Sequence, residues 1–227
     1  MSFLFIAHRG ASADAPDNSA QAFQLAIEQQ SDLIETDVQI TQDGVLVLEH
    51  DSIVDGQAVA STRLSDLRAR NPHLLTAAAA IREFGDRIPF CWEIKAEGIE
   101  TALVTLVRDL LSDAMWQRAE FTSFFFGTAV KLHQLAPDNQ VGWLTREWDE
   151  AAVQKVAAAG LTQICPQAES VIRQPELVKT AQATGLHVRV WSVTRPDMIP
   201  DLEKANVYGG TVNWPAQARA HSQHASG

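Results

Sequence analysis

The chain has 227 residues, of which 46% are apolar, and this is enough for one large core, so we expect a single domain spanning residues 1–227. The 28 acidic residues outnumber the 18 Lys and Arg residues, and a net charge of −10 argues against binding to nucleic acid or to an anionic membrane surface. No apolar run approaches transmembrane length, the start of the chain lacks a basic region, and the two cysteines have no paired spacing, so we expect no stable membrane insertion and a reducing, cytoplasmic setting.

Short apolar, strand-like runs alternate with amphipathic segments along the whole chain. Eight strands are predicted, at Phe3 to Ala7, Leu33 to Val38, Ile88 to Ile94, Ala119 to Thr122, Val141 to Leu144, Thr162 to Cys165, Leu186 to Trp191 and Val207 to Val212. Predicted helices between them include Ser19 to Gln29, Ile99 to Leu111, Glu147 to Ala158, Pro175 to Thr184 and Pro196 to Lys204. Alternation of this kind is typical of βα units, and eight of them predict an α/β fold, the (β/α)8 TIM barrel.

Two segments depart from the alternation. Val45 to Glu49 is an extra strand-like segment, followed by a polar, turn-rich stretch from Asp51 to Arg70. We predict a short excursion above the barrel after the second strand. The tail from Arg219 to Gly227 is small and polar, which predicts a frayed end.

Reactive side chains follow the first strands of the predicted barrel. Seven ionisable residues lie at or just beyond strand ends: His8, Arg9, Glu35, Asp37, His50, Glu93 and Lys95. The active site of a barrel forms at the carboxyl ends of its strands, so these groups are predicted to converge on one rim.

Three carboxylates predict a metal site. Glu35 and Asp37 are two residues apart on one strand, so their side chains face the same way with Cα atoms roughly 7 Å apart. Glu93 on the next barrel strand completes an all-oxygen set, which suits Mg²⁺ or Ca²⁺ rather than zinc. The alternative is that the three carboxylates only form salt bridges with Arg9 and Lys95.

The histidines divide into two groups. His8 and His50 are at strand ends beside Arg9-Gly10 and Asp51, which favours a chemical role over burial in a core. His73, His133 and His187 are assigned no role, since His133 is within a predicted helix and His187 is at the amino end of a strand. Two histidines, a cation and an Arg/Lys pair meet the needs of phosphodiester cleavage: a deprotonated nucleophile, a protonated leaving group and a neutralised phosphoryl charge.

Four stretches of sequence resemble one family in order and spacing. They are HRGASADAPDNSAQAF (8–23), IETDVQITQDGVLVLEHD (34–51), WEIK (92–95) and VRVWSV (188–193). Together they resemble the glycerophosphodiester phosphodiesterase family over nearly the whole chain. The resemblance implies a TIM-barrel enzyme that uses a divalent metal, Mg²⁺ or Ca²⁺, to hydrolyse small-molecule phosphodiesters to an alcohol and sn-glycerol 3-phosphate.

The resemblance also implies a role for each matching residue. His8 and His50 would be the catalytic acid and base, and which of them acts first is left open. Arg9 and Lys95 would contact the phosphoryl oxygens, and Trp191 would border the glycerol pocket. The residues that would bind the metal are Glu35, Asp37 and Glu93.

The stretch from Asp51 to His73 departs most from the family, because it is short and lacks the Arg-Thr-Thr signature usual there. Cap residues select the leaving group, so a related phosphodiesterase acting on lysophospholipids or another diester is an alternative. Phe124 to Phe126 would line an apolar wall for such a group, or divide between core and rim. A non-catalytic phosphodiester-binding barrel would be expected to lack one of the motif residues, and all of them are present. An isomerase-type barrel would be expected to have a phosphate-binding glycine after the seventh strand, and residues 191–198 (WSVTRPDM) contain none. The sequence does not indicate the oligomeric state.

Overall fold

The structure is a computed structural model in which residues 2–224 are described. Its strands are β1 Leu4–His8, β2 Leu33–Ile40, β3 Leu46–Leu48, β4 Ile53–Val54, β5 Gln57–Ala58, β6 Phe90–Ile94, β7 Glu120–Ser123, β8 Gln140–Leu144, β9 Gln163–Cys165, β10 His187–Val190 and β11 Gly209–Val212. Its α-helices are α1 Ala20–Glu28, α2 Leu64–Arg70, α3 Ala77–Phe84, α4 Glu100–Leu110, α5 Asp113–Trp116, α6 Phe126–Leu135, α7 Glu150–Ala158, α8 Ala168–Arg173, α9 Glu176–Ala183, α10 Ile199–Lys204 and α11 Pro215–His224.

Eight parallel strands close into a barrel. The order around it is β1, β11, β10, β9, β8, β7, β6 and β2, and the pairing of β1 with β2 completes the ring. Each of these strands overlaps one of the eight predicted from the sequence, so the predicted (β/α)8 barrel is confirmed. No helix within residues 2–224 is both long enough and apolar enough to cross a membrane.

The helices cover the outside of the barrel with their apolar faces. Several begin at residues whose side chains accept a backbone N–H: Ser19 caps α1, Thr76 caps α3 and Asp149 caps α7. Such caps satisfy amide groups that the first turn of a helix leaves unpaired, and each contributes about 1 kcal/mol. The three capping residues therefore fix where α1, α3 and α7 begin.

The interior of the barrel contains a buried polar layer. Arg189 on β10 is 1% exposed, and its Nη1 lies 3.6 Å from Glu120 Oε2 on β7. Glu120 also accepts hydrogen bonds from Gln163 Nε2 at 3.2 Å and from Tyr208 OH at 3.0 Å. Two free thiols, Cys91 and Cys165, are fully buried on β6 and β9, and Arg189 Nη1 donates to Cys91 Sγ.

The predicted excursion is present and has a small core of its own. Strand β3 pairs antiparallel with the end of β2, and β4 and β5 form a separate hairpin. A second apolar cluster supports the segment, made by Val47, Val59, Leu67 and Leu74. This core holds the excursion close above the barrel rim.

The prediction of a frayed tail from Arg219 was wrong as far as His224, while residues 225–227 lie outside the described residues. Helix α11 includes Arg219, whose Nη2 donates to Gln30 O at 2.6 Å and lies 2.9 Å from Asp32 Oδ2. The same guanidinium lies over the ring of Phe5, 5.0 Å from its centroid. The docking of Arg219, which composition does not reveal, stabilises the helix.

Candidate active site

A cavity of about 520 Å³ opens at the carboxyl ends of the barrel strands. Seven of the eight residues singled out from the sequence line it: His8, Arg9, Glu35, His50, Glu93, Lys95 and Trp191. The eighth, Asp37, is 1% exposed and belongs to the same carboxylate cluster as Glu35 and Glu93. The structure therefore brings together all the residues predicted to form the site.

The register of the parallel strands aligns these residues in pairs. His8 on β1 is the register partner of Glu35 on β2, and Asp37 on β2 is the partner of Glu93 on β6. Side chains of paired residues in neighbouring strands point to the same face of the sheet. Three adjacent strands thus bring one histidine and three carboxylates to one side of the cavity.

The carboxylate cluster fits a divalent cation. One oxygen each from Glu35, Asp37 and Glu93 lie within 4.8 Å of one another, and all three residues are buried. Burial raises the pKa of Glu35 well above its usual range, and repulsion from Asp37 and Glu93 raises it further. Within the described part of the chain, neither Glu35 Oε1 nor Asp37 Oδ1 accepts a hydrogen bond, although Lys95 Nζ lies 3.5 Å from the latter. Buried oxygens of this kind need a partner, and an oxygen-preferring cation such as Mg²⁺ or Ca²⁺ would provide one.

The salt bridges considered as the alternative are also present. Lys95 Nζ lies 2.8 Å from Glu93 Oε1 and 3.5 Å from Asp37 Oδ1, and Arg9 Nε lies 3.1 Å from Asp37 Oδ2. Although burial opposes the charge of Lys95, Glu93 and Asp37 raise its pKa, which keeps it protonated. Both basic groups line the cavity, so they can face a ligand while balancing the carboxylates.

The turn after β1 fixes the position of Arg9. Arg9 adopts the left-handed region with φ of 57°, and its N–H donates to the backbone oxygen of Glu35 at 2.8 Å. Gly10 follows with φ of 84°, and a Cβ there would lie 2.6 Å from the backbone carbon of Ala22. Glycine is therefore required at this position, because helix α1 packs directly against the turn.

His8 is oriented by a residue from the other end of the chain. Its Nδ1 lies 2.7 Å from Asn213 Oδ1, an acceptor, so Nδ1 carries the proton and Nε2 lies 4.0 Å from Glu35 Oε2. Burial lowers the pKa of His8, Arg9 lowers it further, and the hydrogen bond to Asn213 opposes the shift. Sequence reasoning missed Asn213.

His50 lies at the end of the excursion strand and is more exposed. Its Nδ1 donates to Asp51 Oδ1 at 2.7 Å. Gln39 is buried on β2, and its Nε2 donates to the backbone oxygens of Glu49 and His50 at 3.0 and 3.2 Å. Gln39, which sequence reasoning also missed, therefore holds the backbone of the excursion to the barrel where it presents His50.

A third missed residue, Asn18, supports the carboxylate cluster. It is buried with φ of 53°, and its Nδ2 donates to Asp37 Oδ2 at 3.1 Å. Its Oδ1 accepts from Thr36 Oγ1 at 2.7 Å. Asn18 thus fixes the orientation of a carboxylate that would hold a cation.

Aromatic rings form the wall of the cavity next to Lys95. Lys95 Nζ lies 5.9 Å from the ring centroid of Phe124, and Phe124 packs edge-to-face on Trp191 at 5.4 Å. Trp191 Nε1 donates to Thr145 O at 3.2 Å. Phe124 and Phe125 are 40% and 42% exposed, whereas Phe126 packs on the main core. The run thus divides between the cavity, the surface and the core.

The comparisons with known proteins agree with this geometry. The sequence model of the glycerophosphoryl diester phosphodiesterase family matches residues 8–89 and 89–216. A glycerophosphodiester phosphodiesterase of Caldanaerobacter subterraneus subsp. tengcongensis is 29% identical over 236 residues, covering 92% of this chain and 93% of the relative.

Solved structures share the fold. A glycerophosphodiester phosphodiesterase of Parabacteroides distasonis has a TM-score of 0.86 at 22% identity, covering 98% of each chain. A phosphodiesterase of Oleispira antarctica, solved with the product sn-glycerol-3-phosphate, has a TM-score of 0.86 at 20% identity, covering 97% of this chain and 96% of its own.

Proposed function

The chain belongs to the glycerophosphoryl diester phosphodiesterase family, and we propose that it hydrolyses glycerophosphodiesters to an alcohol and sn-glycerol 3-phosphate with a divalent metal and two histidines. The observation that carries this proposal is the strand register that sets His8 beside Glu35 and Asp37 beside Glu93 in one cavity. The family membership gives the reaction class, and this register supports the assignment of roles to individual residues.

Glu35, Asp37 and Glu93 would hold the cation, Mg²⁺ or Ca²⁺. All three side chains offer oxygen ligands, and among the described residues one oxygen of Glu35 and one of Asp37 are buried without a hydrogen bond. Bound there, a divalent cation supplies Lewis acidity and neutralises phosphoryl charge. Asn18 keeps Asp37 oriented for this task through its hydrogen bond.

His8 and His50 would move the protons. Hydrolysis breaks the phosphorus–oxygen bond to the alcohol, so one group must accept a proton from the attacking hydroxyl and another must give one to the departing oxygen. Each histidine has Nδ1 engaged by a side-chain oxygen, Asn213 for His8 and Asp51 for His50. That arrangement leaves Nε2 of each ring free for proton transfer.

Arg9 and Lys95 would bind the phosphoryl oxygens, and Trp191 would border the glycerol moiety. Arg9 and Lys95 line the cavity beside the carboxylates, where a phosphodiester bound to the cation would lie. Cationic groups fixed before the substrate arrives stabilise the negative charge that develops on the phosphoryl group. Two free cysteines on a chain of this size support a reducing, cytoplasmic setting.

The test is release of glycerol 3-phosphate by metal-stripped protein, with and without added Mg²⁺ or Ca²⁺. Glycerophosphocholine and glycerophosphoethanolamine are the substrates, and a coupled dehydrogenase reports the product. Activity restored by either ion supports the proposal, and His8→Ala and His50→Ala should each lower kcat by at least about 100-fold. Wild-type rates from the His50→Ala enzyme would exclude the two-histidine mechanism.

A related diesterase activity on lysophospholipids is the second candidate. The exposed rings of Phe124 and Phe125 favour it, because Phe124 lines the cavity and could contact an acyl chain. Lysophosphatidylcholine tested beside glycerophosphocholine separates the two activities. Preference for the lysolipid, lost in Phe124→Ser, would support this candidate.

A further inference from the structure

We propose that Arg146 forms an anion subsite for the alcohol moiety, so that the chain prefers diesters whose alcohol carries its own carboxylate or phosphate. This inference rests on the proposed function and names the class of substrate. Arg146 follows β8 and lines the same cavity as the carboxylate cluster. It belongs to none of the four stretches that carry the family resemblance.

The strand order places Arg146 across the barrel from His8. Going round the ring from β1, strand β8 is the fourth neighbour in either direction. The proposed metal ligands lie on β2, which pairs with β1, and on β6, the next strand round the ring. A diester whose phosphate lies beside these carboxylates and whose glycerol lies against Trp191 presents its alcohol to the remaining lining, which includes Arg146, Thr194 and Trp214.

Arg146 differs from the other Arg and Lys residues of the cavity in having no ion-pair partner among the described residues. Arg9 lies 2.7 Å from Asp17, Lys95 lies 2.8 Å from Glu93 and Arg189 lies 3.6 Å from Glu120. Within residues 2–224, no carboxylate oxygen lies within 4.0 Å of the guanidinium of Arg146. Its charge is therefore available to a ligand, whereas the others are partly balanced by the protein.

The backbone at Arg146 is held firmly although its side chain is exposed. Thr145 N–H donates to Cys165 O at 2.9 Å, and Thr145 O accepts from Trp191 Nε1 at 3.2 Å. Thr145 Oγ1 also accepts from the N–H of Glu147 at 2.9 Å. Because both neighbours are fixed, the Cα of Arg146 has a defined position on the wall, and only its side chain has to be ordered when an anion binds.

The charges of the lining favour an anionic alcohol over a cationic one. Apart from the proposed metal ligands Glu35 and Glu93, the described residues that line the cavity include no carboxylate. An ammonium group on the alcohol would meet Arg146 without a negative partner, and like charges repel. Phe124 offers a poor face to such a cation, because Lys95 already lies over its ring.

The experiment compares substrates that differ by one anionic group. Glycerophosphoserine differs from glycerophosphoethanolamine by a carboxylate, and glycerophosphoinositol 4-phosphate differs from glycerophosphoinositol by a phosphate. Wild type should prefer the anionic member of at least one pair, and the pair that responds identifies the anion. Arg146→Gln should lower kcat/KM for that member by about tenfold, mainly through KM, because a charge-assisted hydrogen bond is lost.

The controls separate a local contact from a change in overall charge. Arg146→Lys should retain most of the preference. Arg118→Gln removes the same charge from an exposed site before β7, at the amino end of the barrel. It should change kcat/KM for neither member of a pair. Equal losses for both members of a pair, an equal effect of Arg118→Gln, or a wild-type preference for glycerophosphocholine would overturn the inference while leaving the proposed function intact. Failure of wild type to cleave any of the diesters with Mg²⁺ or Ca²⁺ would remove the proposed function, and this inference with it.

Discussion

Asn18 Nδ2 donates to Asp37 Oδ2 at 3.1 Å, joining the segment before α1 to a carboxylate buried on β2. Ligands of a metal are commonly oriented by such outer hydrogen bonds, whose loss weakens metal binding by about 10- to 100-fold. Because Asn18 has φ of 53°, glycine is the substitution that removes the side chain without adding backbone strain.

Asn18→Gly should therefore weaken binding of Mg²⁺ or Ca²⁺ by about tenfold or more while the barrel stays folded. Isothermal titration of metal-stripped protein measures the affinity, and far-ultraviolet circular dichroism confirms the fold. Unchanged metal affinity in a folded variant would show that Asp37 does not depend on Asn18 for its orientation.

Glu35 predicts how the stability of metal-free protein depends on pH. Burial first, and then Asp37 and Glu93, raise its pKa in the folded protein. A carboxyl with a raised folded pKa stabilises the fold below its unfolded pKa of about 4.3, and this contribution is lost as pH rises through the folded value.

Glu35→Gln stays neutral, so in chelator its Tm should exceed that of wild type by a margin that grows from about pH 4.3 toward neutrality. Saturating Mg²⁺ or Ca²⁺ should raise the Tm of wild type more than that of the variant. Thermal unfolding measured in chelator and in saturating metal checks both expectations. A Tm difference between variant and wild type that does not change with pH would contradict the predicted ionisation of Glu35.

The partner of His8 offers a way to identify the role of each histidine. Asn213→Asp replaces a neutral acceptor with a carboxylate, which should raise the pKa of His8 because a negative charge favours the protonated ring. The limb of the pH profile of kcat/KM that His8 controls should then move to higher pH. A shifted acidic limb identifies His8 as the base, and a shifted alkaline limb identifies it as the acid. Two unmoved limbs in Asn213→Asp would show that His8 does not control the rate.

The buried pair of Arg189 and Glu120 should be costly to break. Arg189→Met leaves Glu120 without its cationic partner, and loss of one member of a buried pair costs about 3–5 kcal/mol. Arg189→Met combined with Glu120→Gln should recover part of that loss. Urea unfolding measures both, and Arg173→Met, which breaks an exposed pair with Glu169, should change the free energy of unfolding by less than about 1 kcal/mol. Equal losses in the free energy of unfolding from Arg189→Met and Arg173→Met would show that burial does not determine the cost of breaking these ion pairs.

The barrel and its carboxylates could be predicted from sequence because both follow from regular strands. Apolar runs identified the eight strands, and the two-residue period of a strand placed Glu35 and Asp37 on one face. The excursion was found in the same way, from the strand-like segment at Val45 to Glu49. These predictions needed only local pattern and the rule that barrel sites lie at the carboxyl ends of strands.

The supporting residues could not be found in this way, since their contacts are long-range. Asn213 is 205 positions from His8, and nothing near either residue in the chain indicates the pairing. Asn18 adjoins the N-cap residue of α1, so its sequence context suggested only a helix start. Helix α11 formed against expectation because Arg219 docks on Asp32 and Phe5, which are far away in sequence.

The two cysteines give the protein a natural reporter of its own unfolding. Burial raises the pKa of Cys91 and of Cys165 to about 12, so neither is a thiolate at neutral pH and neither can be reached by an alkylating reagent. Because they lie on β6 and β9, opening of a peripheral element such as α11 leaves both protected. The rate of maleimide labelling therefore follows rupture of the barrel itself, and a mass spectrum that counts the added labels records that event without any engineered probe.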